Sequence, residues 1–195
     1  MTPPAERAAL ALHTAAMRKV AILASASGNG KTTLGRALAG RLGVPFVEMD
    51  ALVHGPNWSE TPDEELGARV EPILAGEGWV IDGPYQRKLG DLVLRNADVV
   101  VWLDLPVRVW FPRLLRRTVR RIRGSEGLWN DNQESFGTAF WGRDSLFGYA
   151  LRMHFSRRRR LPAELAAYPF LRLRSTAEVE RFLAEAVSEE GTAHG

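Results

Sequence analysis

Two hydrophobic periods alternate along the chain. Short, nearly continuous apolar runs bounded by glycine, proline or aspartate stand between longer stretches in which leucine and valine return every three or four positions. The runs "RKVAILAS" (18–25), "VPFVEMD" (44–50), "GWVIDG" (78–83), "ADVVVWLDLP" (97–106) and "PFLRLRS" (169–175) read as five strands apolar on both faces, the pattern of a buried parallel sheet. Helical spacing predicts a first helix in "KTTLGRALAGRLG" (31–43), where Leu34, Leu38 and Leu42 share a face and Gly43 supplies the C-cap. Thr61, Pro62 and Glu64 signal the start of a second helix after the loop 51–62. An arginine-rich helix should run from 107 to about 123, another should carry "YALRMHFSRRRRL", and Ser175 or Thr176 should cap a last helix over 176–187. Residues 124–148 are rich in glycine, asparagine and serine with scattered aromatics, which predicts an excursion from the core. Residues 1–17 read as a flexible extension ahead of a single domain over 18–190.

Strands alternating with helices give an α/β fold, a parallel sheet covered on both faces. Ligands of such sheets bind beyond the carboxyl ends of the strands, here Ser25–Lys31, Asp50, Asp82 and Asp104.

The first of these ends carries "SASGNGKT". Gly28, Gly30, Lys31 and Thr32 stand between a strand and a helix, the setting of a phosphate-binding loop whose backbone N–H groups converge on phosphate oxygens. Ser27, Gly28, Asn29, Gly30, Lys31, Thr32 and Thr33 are the candidate nucleotide contacts; Lys31 would reach the β- and γ-phosphates and Thr32 would hold Mg²⁺. The regular pattern begins with glycine, and here Ser25 takes that place. At the strand exit, where no unusual dihedral is needed, a serine can be accommodated. Asp82, closing the third strand, is placed to hold a Mg²⁺-bound water, or to cap a turn; Asp104 is a rival that lies just before a turn proline.

The charge balance sharpens this picture. The net charge of +3 is the sum of unlike halves: residues 108–174 hold 15 arginines against 5 acids, whereas the remainder holds 11 basic and 18 acidic residues. Arginine's planar fork suits phosphate or carboxylate, although a GC-rich genome would also enrich it. On the helix from 107, Val107, Phe111, Leu114, Thr118 and Ile122 form one stripe while Arg113, Arg116, Arg117 and Arg120 cluster on another face. With no acid between Asp104 and Glu126 to neutralise them, a polyphosphate ligand is the economical reading. Arg143 and Arg152 could contribute from the far side of the lid, and Arg157–Arg160 read as a solvated or nucleic-acid-attracting face. The chain has no cysteine, no apolar run long enough to span a bilayer and no secretory signal pattern, so a cytoplasmic protein without disulfides or membrane is expected. His54 lies in a loop with no visible partner, and no zinc site is indicated.

The segments "SGNGKTTLGRALAGRLGVPFVEMDAL", "VIDGPYQRK", "VVVWLDLP" and "LRLRSTAEVERFL" resemble the P-loop small-molecule and nucleotide kinases of the adenylate kinase-like superfamily, including the topology modulation proteins and adenylate kinase-like ATP-binding proteins. The resemblance spans about residues 18–187. It implies a three-layer P-loop fold with strand order 2-3-1-4-5, a mobile lid, ATP and Mg²⁺ as cofactors, and phosphoryl transfer to a nucleotide or small hydroxylated acceptor. It places Arg113 and Arg117 on the transferred phosphate as catalytic residues beside Lys31, and Arg174 near the adenine. Asp50 is similar in place to the aspartate of shikimate and gluconate kinases that meets an acceptor hydroxyl; a helix cap is the plainer reading. Arg87 could bind an anionic group of the acceptor or form a surface ion pair, and Trp58 and Tyr85 could stack on a base or sugar or belong to the core or rim. A slow ATPase switch and a nucleic-acid-associated P-loop protein are the competing functions; the oligomeric state stays open.

Overall fold

A computed structural model describes residues 17–54, 59–122 and 146–186. The extension 1–16 falls outside them, as do the lid segment 123–145 with Arg143, and Trp58. The strands are β1 (Lys19–Ala24), β2 (Phe46–Glu48), β3 (Trp79–Asp82), β4 (Val99–Leu103) and β5 (Phe170–Leu173). The helices are α1 (Lys31–Leu42), α2 (Met49–Val53), α3 (Asp63–Ala75), α4 (Gln86–Leu89), α5 (Leu92–Arg95), α6 (Val107–Ile122), α7 (Leu146–Glu164) and α8 (Thr176–Glu185). All pairings are parallel and the sheet order is β2-β3-β1-β4-β5, as expected.

Alternation along each strand divides the core in two. Val20, Ile22 and Ala24 of β1 and Val99, Val101 and Leu103 of β4 pack with Leu34, Leu38 and Leu42 of α1 and Phe182 of α8. The intervening Ala21, Val100 and Trp102 face Met49, Val53, Leu66 and Val70 from α2 and α3, and Leu161 from α7. Trp79, Trp102 and Trp110 are fully buried, each worth about 1.5–3 kcal/mol or more on apolar burial alone. Ser175 caps α8, accepting from the Glu178 N–H at 3.2 Å, while the Glu178 carboxylate accepts from the Arg174 N–H.

Three boundaries differ from expectation. β2 ends at Glu48 because Met49 and Val53, four residues apart, both turn into the core and start a helix, so Asp50 sits in the first turn of α2 rather than at a strand end. α4 and α5 are single turns between β3 and β4, where the sequence pattern predicted no element. α7 begins at Leu146, so the last residues of the expected excursion belong to a helix. On α6 the buried positions are Trp110, Leu114 and Thr118, with Phe111 half-buried beside them.

Candidate phosphate-binding site

β1 leads directly into the loop. Gly28 and Gly30 take left-handed backbone, φ +83° and +90°, and Gly30 is the N-cap of α1. A Cβ on Gly28 would lie 2.7 Å from the Trp110 carbonyl oxygen, part of the α6 backbone, so the loop sits directly on that helix. Gly28→Ala combines left-handed strain with overpacking, about 2–4 kcal/mol together. We expect the melting temperature to fall by roughly 5–15 °C, read by differential scanning calorimetry.

Asn29 is buried and its side chain is spent within the loop: the amide donates to the Ala26 carbonyl at 2.8 Å and its oxygen accepts from the Leu105 N–H at 3.1 Å. Its side chain therefore braces the loop, leaving its backbone for a ligand. Ser27 and Thr33 are exposed at the mouth. The Lys31 ammonium lies 2.7 Å from Asp82 Oδ1, and the Thr32 hydroxyl donates to Asp82 Oδ2 at 2.7 Å. The pairing of β1 with β3, which sets Ile22 opposite Asp82, brings these groups together across 50 residues. The site thus presents an ammonium, a hydroxyl and a nearly buried carboxylate at a helix N-terminus, a donor set that fits a phosphate chain with a hard divalent cation. Arg113 hangs over the loop, its Nη1 3.8 Å from where a Gly30 Cβ would be. Arg117 follows one turn later, half-buried, and Arg174 is exposed beyond β5.

Ser25 does not obstruct the loop. It is fully buried and faces inward: its hydroxyl donates to Asp104 Oδ1 at 2.7 Å and accepts from the Trp102 indole N–H at 2.9 Å. Asp104 is accordingly not a metal ligand. Its Oδ2 receives Arg172 at 2.6 Å and Arg158 at 3.1 Å, and the Arg172 guanidinium stacks 4.1 Å from the Trp102 ring centre. Arg158, Arg159 and Arg160 are exposed, as the reading of a solvated face expects, although Arg158 turns its guanidinium to Asp104; Arg157 departs from it, donating to the Ala24 carbonyl at 2.8 Å. Burial holds the Arg157 guanidinium below the usual arginine range, with the Tyr149 and Tyr85 phenols near enough to act on it.

A second cluster lies at the ends of β2 and β3. The Tyr85 hydroxyl donates to Asp50 Oδ1 at 2.5 Å and lies 3.2 Å from His54 Nε2, so His54 has a partner after all. Tyr85 is the one non-glycine residue with positive φ among those described, at +46°, a conformation that costs about 1–3 kcal/mol and recurs at functional sites. Desolvation first, and the Asp50 carboxylate second, push the Tyr85 phenol well above its usual range, so it stays a donor at neutral pH. The Tyr85 hydroxyl is engaged with Asp50 and His54 rather than left at the rim. Arg87 is not in the cluster; it is exposed, 3.7 Å from Glu60. Its neighbour Lys88 points inward instead, to Glu60, Asp63 and the Thr61 carbonyl.

Sequence reasoning missed Arg157, Arg158 and Arg172. The signal available for the first two was helical phase, because His154, Leu161 and Leu165 define a buried face next to them.

The family model for shikimate kinase matches residues 27–79, from the loop through the start of β3. A solved shikimate kinase from Bacteroides thetaiotaomicron superposes with a TM-score of 0.53 at 19% identity, covering 87% of this chain and 96% of that one. The chain shares the fold of that kinase. A deoxyadenosine kinase from M. mycoides with bound products gives a TM-score of 0.52 at 11% identity over 85% of this chain and 94% of that one. Among curated proteins, the shikimate kinase of Ruegeria pomeroyi is 54% identical over 122 residues, 55% of this chain and 63% of the relative. The chain thus spans less than two thirds of the curated relatives it matches. Among the described residues, no helix is long and apolar enough to cross a membrane.

Proposed function

We propose that the protein is a small-molecule kinase that transfers the γ-phosphate of ATP to a hydroxyl of a compact polyhydroxylated acceptor, with shikimate the first acceptor to test. The observation that carries this reading is the meeting of Lys31 and Thr32 on the two oxygens of Asp82 at the mouth of a left-handed glycine loop. The loop backbone would hold the phosphates, Lys31 would bridge the β and γ groups, and Thr32 with Asp82, through water, would hold Mg²⁺. Mg²⁺, when bound, neutralises charge on the β and γ oxygens. Arg113 over Gly30, with Arg117 behind it, would meet charge on the departing γ-group, and Arg174 would flank the base.

Asp50 would take the proton of the acceptor hydroxyl as its oxygen bonds to the γ-phosphorus and the bond to ADP breaks. Tyr85 donates to Asp50 Oδ1, which leaves Oδ2 toward the acceptor. A carboxylated acceptor such as shikimate would find a cation in Arg157, whose hydrogen bond among the described residues goes to a neutral carbonyl. The shikimate kinase relatives support this choice. The nucleic-acid reading loses ground because two of the four arginines of the basic run are engaged within the protein, Arg157 with the Ala24 carbonyl and Arg158 with Asp104.

The test is ADP release coupled to a panel of polyols, sugar acids and nucleosides with shikimate at its head. Acceptor-dependent ADP release is expected; nucleotide turnover indifferent to every acceptor would leave only the ATPase alternative. With the acceptor in hand, Tyr85→Phe should raise its KM about tenfold, the size of one lost charge-assisted hydrogen bond, and shift the Kd of Mg·ATP less than twofold. Isothermal titration and initial rates separate these two effects.

A further inference from the structure

Ser25 breaks the usual pattern of the phosphate loop, yet it is fully buried and both of its hydrogen-bonding capacities are used. Asp104, its partner, is buried as well and divides its two oxygens: Oδ1 accepts from Ser25, and Oδ2 accepts from Arg172 of β5 and Arg158 of α7. The preceding residue of α7, Arg157, holds the residue before Ser25, donating to the Ala24 carbonyl. Two consecutive residues of α7 therefore grip two consecutive residues at the root of the loop, one directly and one through a shared carboxylate. Ala26, one step further, packs against Phe147 and Ala150 of the same helix.

We propose that Ser25, Asp104 and Arg158 form a positioning relay that sets the phosphate loop and α7 in one register, so that nucleotide binding at the loop depends on the seat of that helix. The inference rests on the kinase reading but concerns residues that touch no phosphate. A glycine at position 25 would remove the hydroxyl that ties the loop to Asp104 and through it to Arg158. The serine adds a directional link, because one rotamer of its hydroxyl serves both the Trp102 N–H and Asp104. Moving Asp104 toward either side lengthens its bonds on the other.

Asp104 variants would mix this role with folding, so the test uses Ser25→Ala and Arg158→Gln, singly and together, and reads the Kd of the full chain for Mg·AMP-PNP by isothermal titration beside the ligand-free melting temperature. Each single change is expected to weaken binding about fivefold to tenfold. The double variant should bind no more than about twofold worse than the weaker single, because both cut the same relay. Arg158→Lys, which restores a cation toward Asp104, should recover most of the affinity. Multiplying losses in the double variant, or melting temperatures that fall while Kd stays at the wild-type value, would overturn the relay and leave the kinase reading intact. A wild-type chain that does not bind Mg·AMP-PNP would bring down both.

Discussion

Lys31→Ala is expected to lower kcat for acceptor phosphorylation by at least about 10²–10³-fold, the scale of losing one preorganised group that meets transition-state charge. The ammonium is held in place before any ligand arrives, 2.7 Å from Asp82 Oδ1, with about a quarter of its side chain exposed. Preorganisation of this kind matters because the charge on the γ-group must be met without reorganising solvent as it transfers. The fold should survive the change: Asp82 keeps the Thr32 hydroxyl at 2.7 Å, and Lys31 contributes nothing to either side of the core. The melting temperature is therefore expected within a few degrees of wild type, while single-turnover ADP formation collapses. A variant that still turns over within tenfold of wild type would mean that the loop lysine is not the group that meets the phosphates.

Asp104→Asn should be the costly change for stability. It keeps the shape of the side chain and removes the charge that answers Arg172 and Arg158, leaving Arg172, about one-fifth exposed, stacked on Trp102 without a counter-ion. Breaking a buried pair from one side costs about 3–5 kcal/mol, and partial exposure of both arginines puts the expectation near the lower figure. For a chain of this size that is roughly 6–12 °C in Tm. Thermal unfolding monitored by circular dichroism checks it. A loss of a degree or two would show that solvent already screens the arginines and that Asp104 is dispensable as a counter-ion.

The sheet was legible because its strands are apolar on both faces, a pattern that Val20–Ala24 and Val99–Leu103 carry without interruption. The loop was legible because glycine, lysine and threonine at fixed spacing have few other uses between a strand and a helix. What stayed hidden depended on pairings far apart in the chain. A separation of 79 positions leaves no local trace of the Ser25–Asp104 hydrogen bond, and a run of four arginines looks uniform until α7 sets Arg157 on the Ala24 carbonyl and Arg158 on Asp104. The same limit applied to Asp50, Tyr85 and His54. Tyr85 reached Asp50 only through a left-handed turn that a tyrosine seldom adopts, for which the sequence "DGPY" gives no clear sign. β2 was overextended because the run "VPFVEMD" does not tell Met49 at the end of a strand from Met49 at the start of a helix.

The strand order has a consequence for how such a molecule can change. Asp50, His54 and Tyr85 come from the β2–β3 flank, whereas Asp104, Arg158 and Arg172 bind the β1–β4–β5 flank, with the central strand as the seam. The hydrogen bonds of the Asp50 cluster and those of the Asp104 cluster share no residue. On the kinase reading, descendants of this chain could therefore trade one acceptor for another while the loop stays anchored through Asp104.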